Sequence, residues 1–224
     1  MALQHSPSIV TSGLIMYFDP ANVRSYPGTG TAAYDISGNN YTETLLNGVS
    51  YSSSNLGTLT FDGVDDYCLT SDPGQQTRYT VETWFKPTSY PNNYSCTIAS
   101  TYPGTNSTVN FKIGYDGGST MSGGFYDGSW HYSPSVSTAL NTWQCIAYSY
   151  DGTNLTIYSN GVSGGSNSYV GTPNSGGGGV RIGRRWDIAD YFAGSISAVK
   201  VYNRALSATE VLQNFNALRS RYGI

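Results

Sequence analysis

The stretch from Phe192 to Val211, FAGSISAVKVYNRALSATEV, decides the fold. It reads as a strand, then a turn, then the start of a helix. Ser207 is an N-cap candidate with Glu210 three residues later, the spacing of a reciprocal capping box. Leu206 and Val211 fall at the two positions of a hydrophobic staple. The helix continues with Val211, Leu212, Phe215 and Leu218 at helical spacing, and Arg219 and Arg221 stand near the negative end of its dipole. A lone short helix closing a strand-rich chain predicts an all-β architecture with one helical end.

Working outward, 224 residues fit one large all-β domain, and neither a linker nor a 20–50-residue period divides them. Residues 1–12 read as an N-terminal arm, and 13–224 as the domain. Only 11% of the chain is Asp, Glu, Lys or Arg, and it is rich in Gly, Ser, Thr, Asn and Tyr, which suits short strands joined by tight turns. Strand-like runs fall at about 13–18, 58–70, 78–87, 94–101, 108–115, 121–126, 142–150, 154–159, 179–183 and 191–202. Asp151-Gly152-Thr153-Asn154 is a hairpin connection. In 142–150, Trp143, Cys145 and Ala147 share one face and Gln144, Ile146 and Tyr148 the other. Both faces are largely apolar, as in a central strand covered by a second sheet. Trp84 and Trp143 are core candidates, while Pro20–Gly57 and Gly161–Gly178 read as long rim loops without strands.

Four blocks in order carry a resemblance. They are Gly13–Asp19 (GLIMYFD), Leu59–Tyr67 (LTFDGVDDY), Asn141–Gly161 with its Asp-Gly hairpin, and the closing segment quoted above. The chain resembles laminin-G-like domains of the concanavalin A-like lectin and glucanase superfamily, over residues 13 to about 220. The resemblance implies a two-sheet antiparallel jelly-roll sandwich with one short C-terminal helix.

Several function classes are disfavoured. The net charge is −3 without a basic cluster, and Arg184-Arg185 is too small a patch for nucleic acid. Cys68, Cys96 and Cys145 are an odd count without Cys-x-x-Cys spacing, so they read as buried free thiols. The amino terminus lacks the basic and apolar regions of a secretory signal, and no run is long enough for a membrane span. Glycoside cleavage needs paired carboxylates. Of three glutamates, Glu210 serves the cap, and Glu82 lacks the second acid two residues away that the family's glucanases carry. Neither His5 nor His131 sits in a nucleophile arrangement. A non-enzymatic role is expected.

Recognition is the better expectation. Phe125–Tyr132 (FYDGSWHY) sets rings and a histidine around an Asp-Gly turn, and Arg184–Asp187 adds a charged aromatic loop. Tyr126, Trp130, His131, Arg185 and Trp186 are the candidate contacts for surface glycans or glycoproteins. Twenty tyrosines exceed what one core needs, so some should face solvent or other subunits. Asp62, Asp65 and Asp66, with Asp19 and Asp35 as contributors from the first long loop, are hard-oxygen candidates for a structural calcium. Ala198 stands where related domains often carry an acid. Met1 and the well-formed end at Ile224 read as a complete small gene. Because the family works outside cells and no export signal is read here, the expected setting is a virion surface. The chain would be a bacteriophage capsid decoration or tail-fibre component that attaches to hosts. Residues 1–12 would dock on neighbouring virion subunits, and self-association into a homo-oligomer fits the same picture. A secreted or cell-surface lectin-like adhesion module is the alternative.

Overall fold

The computed structural model describes residues 7–91, 97–101, 109–175, 177–185 and 190–224. The first strands are β1 (Leu14–Phe18), β2 (Ala32–Tyr34), β3 (Thr42–Leu46), β4 (Ser50–Ser52), β5 (Thr58–Asp62) and β6 (Tyr67–Thr70). Next come β7 (Tyr79–Pro87), β8 (Thr97–Thr101), β9 (Lys112–Tyr115), β10 (Thr120–Tyr126), β11 (Trp130–Tyr132) and β12 (Val136–Ser137). The last are β13 (Gln144–Tyr150), β14 (Asn154–Ser159), β15 (Val162–Ser168), β16 (Val180–Ile182) and β17 (Ala193–Tyr202), before helix α1 (Ala208–Leu218).

They form two antiparallel sheets. The eight-stranded first sheet runs β15-β14-β13-β7-β17-β5-β4, with β1 also pairing β17. The nine-stranded second sheet runs β11-β10-β9-β8-β16-β6-β3-β2, with β12 also pairing β10. Strands adjacent in the sheets are far apart in sequence, as in β7 between β13 and β17, which is the jelly-roll connectivity expected. Between the sheets lies a core that includes Met16, Phe85, Phe111, Ile113, Phe125, Ile146 and Tyr148. Tyr79 and Tyr148 share a 3.0 Å hydroxyl hydrogen bond inside it, so these buried phenols are satisfied. The tyrosines divide accordingly, with Tyr79, Tyr115, Tyr148, Tyr150 and Tyr202 fully buried and Tyr34, Tyr51 and Tyr132 exposed.

Two glycines in β10 explain how tightly the layers meet. A Cβ on Gly123 would lie 2.0 Å from the Tyr148 ring across the core, and one on Gly124 would lie 2.7 Å from the Tyr132 ring on the opposite face. Adjacent residues of a strand face opposite ways, so each glycine makes room for one tyrosine.

The closing segment folds as its sequence reads. The Ser207 side chain accepts from the Glu210 N–H at 3.3 Å, and the Glu210 carboxylate accepts from the Ser207 N–H at 2.9 Å. Arg204 clamps the same carboxylate at 2.6 and 3.0 Å. Leu206 and Val211 are both buried. Leu212 departs from expectation, at 43% exposed. The inward face is Val211, Asn214 and Phe215, spaced i, i+3, i+4, and Leu212 lies one position off it. Arg221 does more than face a dipole, because it binds Asp19 at 2.7 Å and the Asn55 and Gly57 carbonyls at 2.6 Å.

The outer face of the first sheet is also buried, and this corrects one expectation. In β13, Ile146 and Tyr148 do face the second sheet, but Cys145 and Ala147, with Trp143 just before the strand, lie under α1 and the segments at either end of the described chain. Trp84 stacks on Phe215 and Tyr222 there. Beneath the helix, Lys200 and Glu82 form a fully buried 2.5 Å ion pair, with Asn214 donating to the second Glu82 oxygen. Residues 8–12 of the arm lie on this layer: Val10 N donates to Asn214, Gln213 to the Ser8 carbonyl and Arg204 to the Ser12 carbonyl.

The segments read as strandless are partly strands. Pro20–Gly57 holds β2, β3 and β4, and Gly161–Gly178 holds β15. Their Ser, Thr and Gly content hides the apolar alternation, which in β3 survives only at Leu45, next to a buried Glu43 on the same face. Among the described residues no helix is long and apolar enough to cross a membrane. Cys68 and Cys145 are buried free thiols, and Cys96 lies outside the described residues.

Candidate functional site

The face of the second sheet turned away from the core carries an unusual set of side chains. One cross-strand row runs from Leu69 through Arg181, Ser100, Lys112 and Gly124 to Tyr132. Because β11 alternates, Trp130 joins Tyr132 on this face, while His131 points the other way. The Trp130 and Tyr132 rings stack 5.5 Å apart at 11°, and Tyr126 meets Trp130 edge-on at 5.5 Å. The Lys112 ammonium lies 4.9 Å from the Tyr132 centroid and 5.9 Å from that of Trp130. Together they make a platform of π-faces with a cation at its foot.

Beside the platform is a pocket of about 350 Å³ lined by Lys112, Asp116, Ser122, Tyr132 and Ser135. Asp116 accepts hydrogen bonds from Ser122 at 2.5 Å and Ser135 at 2.8 Å. Its Oδ1 lies 4.0 Å from the Lys112 Nζ. Burial pushes the Lys112 ammonium down to about 8, against the pull of Asp116, and the charge of Arg185 adds to the depression. Burial and Asp116 push the Tyr132 hydroxyl up to about 12.

The candidates from sequence separate here. Tyr126, Trp130 and Arg185 gather on this face, Arg185 near enough for its charge to be felt by Lys112 and Tyr132. His131 instead stacks on Tyr169 and meets Asp127 at 2.9 Å beside Phe125, so it belongs to the sandwich edge. Burial alone would raise Asp127, but hydrogen bonds from His131 and Tyr169 outweigh it and hold the carboxyl low. Trp186 lies outside the described residues. Sequence reading missed Tyr132, Lys112 and Asp116, although the period-two alternation from Trp130 already placed Tyr132 beside it.

The acidic turn lies between β5 and β6. Carboxylate oxygens of Asp62, Asp65 and Asp66 lie within 4.8 Å of one another. Asp62 Oδ1 holds the turn by accepting from the Val64 N–H at 2.7 Å, which keeps its carboxyl low. Asp66 accepts from the Asp62 N–H at 2.9 Å through one oxygen, while the other is buried without a hydrogen-bond partner among the described residues. Burial raises Asp66. An orphaned inward carboxylate oxygen beside two exposed ones is a donor set that suits a hard cation. Asp19 and Asp35 do not join it: Asp19 binds Arg221 and Tyr17, and Asp35 accepts from the Tyr17 and Ser37 N–H groups.

A family model described as the concanavalin A-like lectin/glucanases superfamily matches residues 61–212, and the chain belongs to that superfamily. Among solved structures, domain 4 of the extracellular GH43 arabinanase AbnA from Geobacillus stearothermophilus, solved with arabinotriose, is similar at TM-score 0.68 and 18% identity, over 91% of this chain and 98% of that one. The receptor-binding domain of botulinum neurotoxin type G is similar at 0.67 and 17%, over 91% of this chain and 51% of that one. Trypanosoma rangeli sialidase, solved with 2,3-difluorosialic acid, is similar at 0.67 and 16%, over 94% of this chain and 34% of that one. At these identities the likeness is one of fold. No curated protein sequence matches the chain.

Proposed function

We propose that this chain is a non-catalytic glycan-binding module whose contact surface is the outer face of the second sheet around Tyr126, Trp130 and Tyr132. The observation that carries the reading is the stacked Trp130–Tyr132 pair, 40% exposed at Tyr132, beside a polar pocket. Sugars present apolar C–H faces and hydroxyl edges, and such a surface offers partners for both. The arabinotriose bound to the arabinanase domain supports it at the level of fold. Glu82, the glutamate nearest to a catalytic position by sequence, is fully buried against Lys200, so it is committed to structure.

Binding of the purified chain to a glycan array, repeated with Trp130→Ala and Tyr132→Ala, tests this. Specific glycans should be retained by the native chain and lost by both variants. Retention by both variants would move the site elsewhere, and silence of the native chain would end the lectin reading.

The setting we propose is a virion surface, where the module would attach a bacteriophage to host glycans; a secreted or cell-surface adhesion module is the alternative. Its support is the tyrosine-rich exterior, with Tyr34, Tyr51 and Tyr132 exposed for contact. Residues 8–12 are held by their own domain, so docking on neighbours is better sought on that exterior. Mass spectrometry of purified particles should find the chain in stoichiometric amounts; its absence would favour the adhesion module. Asp62, Asp65 and Asp66 would hold a structural calcium. Calcium should then raise the melting temperature reversibly to chelation, and an unchanged melting temperature would leave these residues as turn formers.

A further inference from the structure

Lys112 and Asp116 bring opposite charges into one pocket without closing on each other. Lys112 lies between Phe111 and Ile113, both fully buried on the core side, and is itself 2% exposed on the other face. Gly124 stands between it and Tyr132 on the cross-strand row, so the Tyr132 ring lies over bare backbone and reaches toward the ammonium. That ammonium has three donors. It faces the Tyr132 and Trp130 rings but donates no hydrogen bond to a described residue. The nearest Asp116 oxygen, Oδ1, is 4.0 Å away, beyond hydrogen-bond reach.

The separation has a chemical meaning. An oxygen about 2.8 Å from both Nζ and Oδ1 fits across the 4.0 Å gap, with an angle of about 90° at that oxygen. A hydroxyl group placed there accepts from the ammonium and donates to the carboxylate at once. Asp116 has room for that donor, because a carboxylate offers about four acceptor sites and Ser122 and Ser135 take one each. Those serines spend their protons on Asp116, so their oxygens offer lone pairs to whatever enters. The remaining wall is Tyr132, so the lining carries one positive and one negative charge. Arg181 and Arg185 do not line the pocket and are engaged: Arg181 lies 5.5 Å over the Tyr67 ring and donates to the Arg185 carbonyl, and Arg185 has partners of its own. A carboxylate or sulfate entering here has no proton to donate and sets a like charge against Asp116. A single uncharged hydroxyl satisfies both sides.

We infer that the pocket between Lys112 and Asp116 takes a hydroxyl of a neutral sugar residue whose ring lies on Trp130 and Tyr132, and that it discriminates against acidic sugars. The inference rests on the glycan-binding reading and adds the class of glycan. Lys112 and Asp116 are then the residues that set specificity, while the rings supply contact area.

Isothermal titration with three matched pairs tests it: galactotriose with tri-galacturonic acid, mannotriose with tri-mannuronic acid, and lactose with 3′-sialyllactose. At least one neutral member should bind about tenfold or more tighter than its acidic partner, the worth of one charge-assisted hydrogen bond. Lys112→Met and Asp116→Asn should each weaken that neutral sugar about tenfold. They should move the acidic partner in opposite directions, Asp116→Asn admitting it and Lys112→Met excluding it further. A merely structural role for either residue would move both sugars together. An acidic partner bound as tightly as the neutral one would overturn the inference. So would a neutral sugar held equally by the native chain and both variants yet lost in Trp130→Ala. Either result leaves the lectin reading standing. If none of these sugars binds, the glycans retained on the array decide. A set led by carboxylated or sulfated glycans overturns the inference, a set led by neutral ones upholds it, and an empty array ends both readings.

Discussion

Replacing Glu43 by glutamine should change how the stability of this protein depends on pH. Glu43 sits in β3 facing the core, with Cys68 as its neighbour, and its Oε1 is buried without a hydrogen-bond partner among the described residues. Burial pushes the carboxyl up to about 8 from an ordinary 4.5, against a smaller opposing effect of the Cys68 thiol. The folded state therefore holds a proton that the unfolded state has already released. Stability is greatest below the unfolded value, falls as pH rises toward the folded one and is flat above it. Each tenfold difference in proton affinity is worth about 1.4 kcal/mol, so the full loss is on the order of 4 to 5 kcal/mol, with about 3 of it gone by pH 7. That is a large share of the roughly 5 to 15 kcal/mol that stabilises a domain. Glutamine keeps the shape and cannot ionise. Urea midpoints of both chains at pH 5 to 9 should diverge across this window, the native chain losing stability relative to Glu43→Gln. Groups common to both chains, Lys112 included, cancel in the difference. Parallel curves would show that Glu43 ionises as it does in water, refuting a dry carboxyl.

Gly123→Ala should destabilise by at least about 1 to 3 kcal/mol, because a Cβ there lies 2.0 Å from the Tyr148 ring; an unchanged thermal midpoint would mean the sheets can part freely. Lys200→Met should cost about 3 to 5 kcal/mol by leaving Glu82 buried and unpaired. Adding Glu82→Leu should recover most of that loss in chemical denaturation, and an additive double variant would count against the pairing. Ser207→Ala should cost about 1 kcal/mol through loss of the helix cap, with a null effect by calorimetry arguing that Arg204 and the staple suffice.

What was legible in the sequence was what local rules specify. The Ser207–Glu210 box, the Leu206–Val211 staple and the Asp151–Asn154 turn need only neighbours, and each formed. The strands inside Pro20–Gly57 were not legible, because their inward positions are filled by Ala33, Glu43 and Leu45, not by an alternating apolar run. Trp84 and Trp143 read correctly as buried, but not as lying on a second layer beneath α1, since burial patterns do not say what does the covering. At the candidate site, the aromatic density around Trp130 was visible, and alternation would have sent His131 inward. Lys112 was hidden for a different reason. Its role depends on Asp116, four residues on, and on Tyr132 and Arg185 converging from two other segments of the chain.

The central claim is that glycans land on the outer face of the second sheet. Titrating the isotope-labelled chain with the best array glycan, and following its amide and indole N–H resonances, tests this most directly. The account predicts the largest shifts at Trp130, Tyr132, Lys112 and Ser122, with little change at α1 or at the Asp62–Asp66 turn. Shifts confined to that turn or to the β15 edge, with the Trp130 indole unmoved, would contradict it.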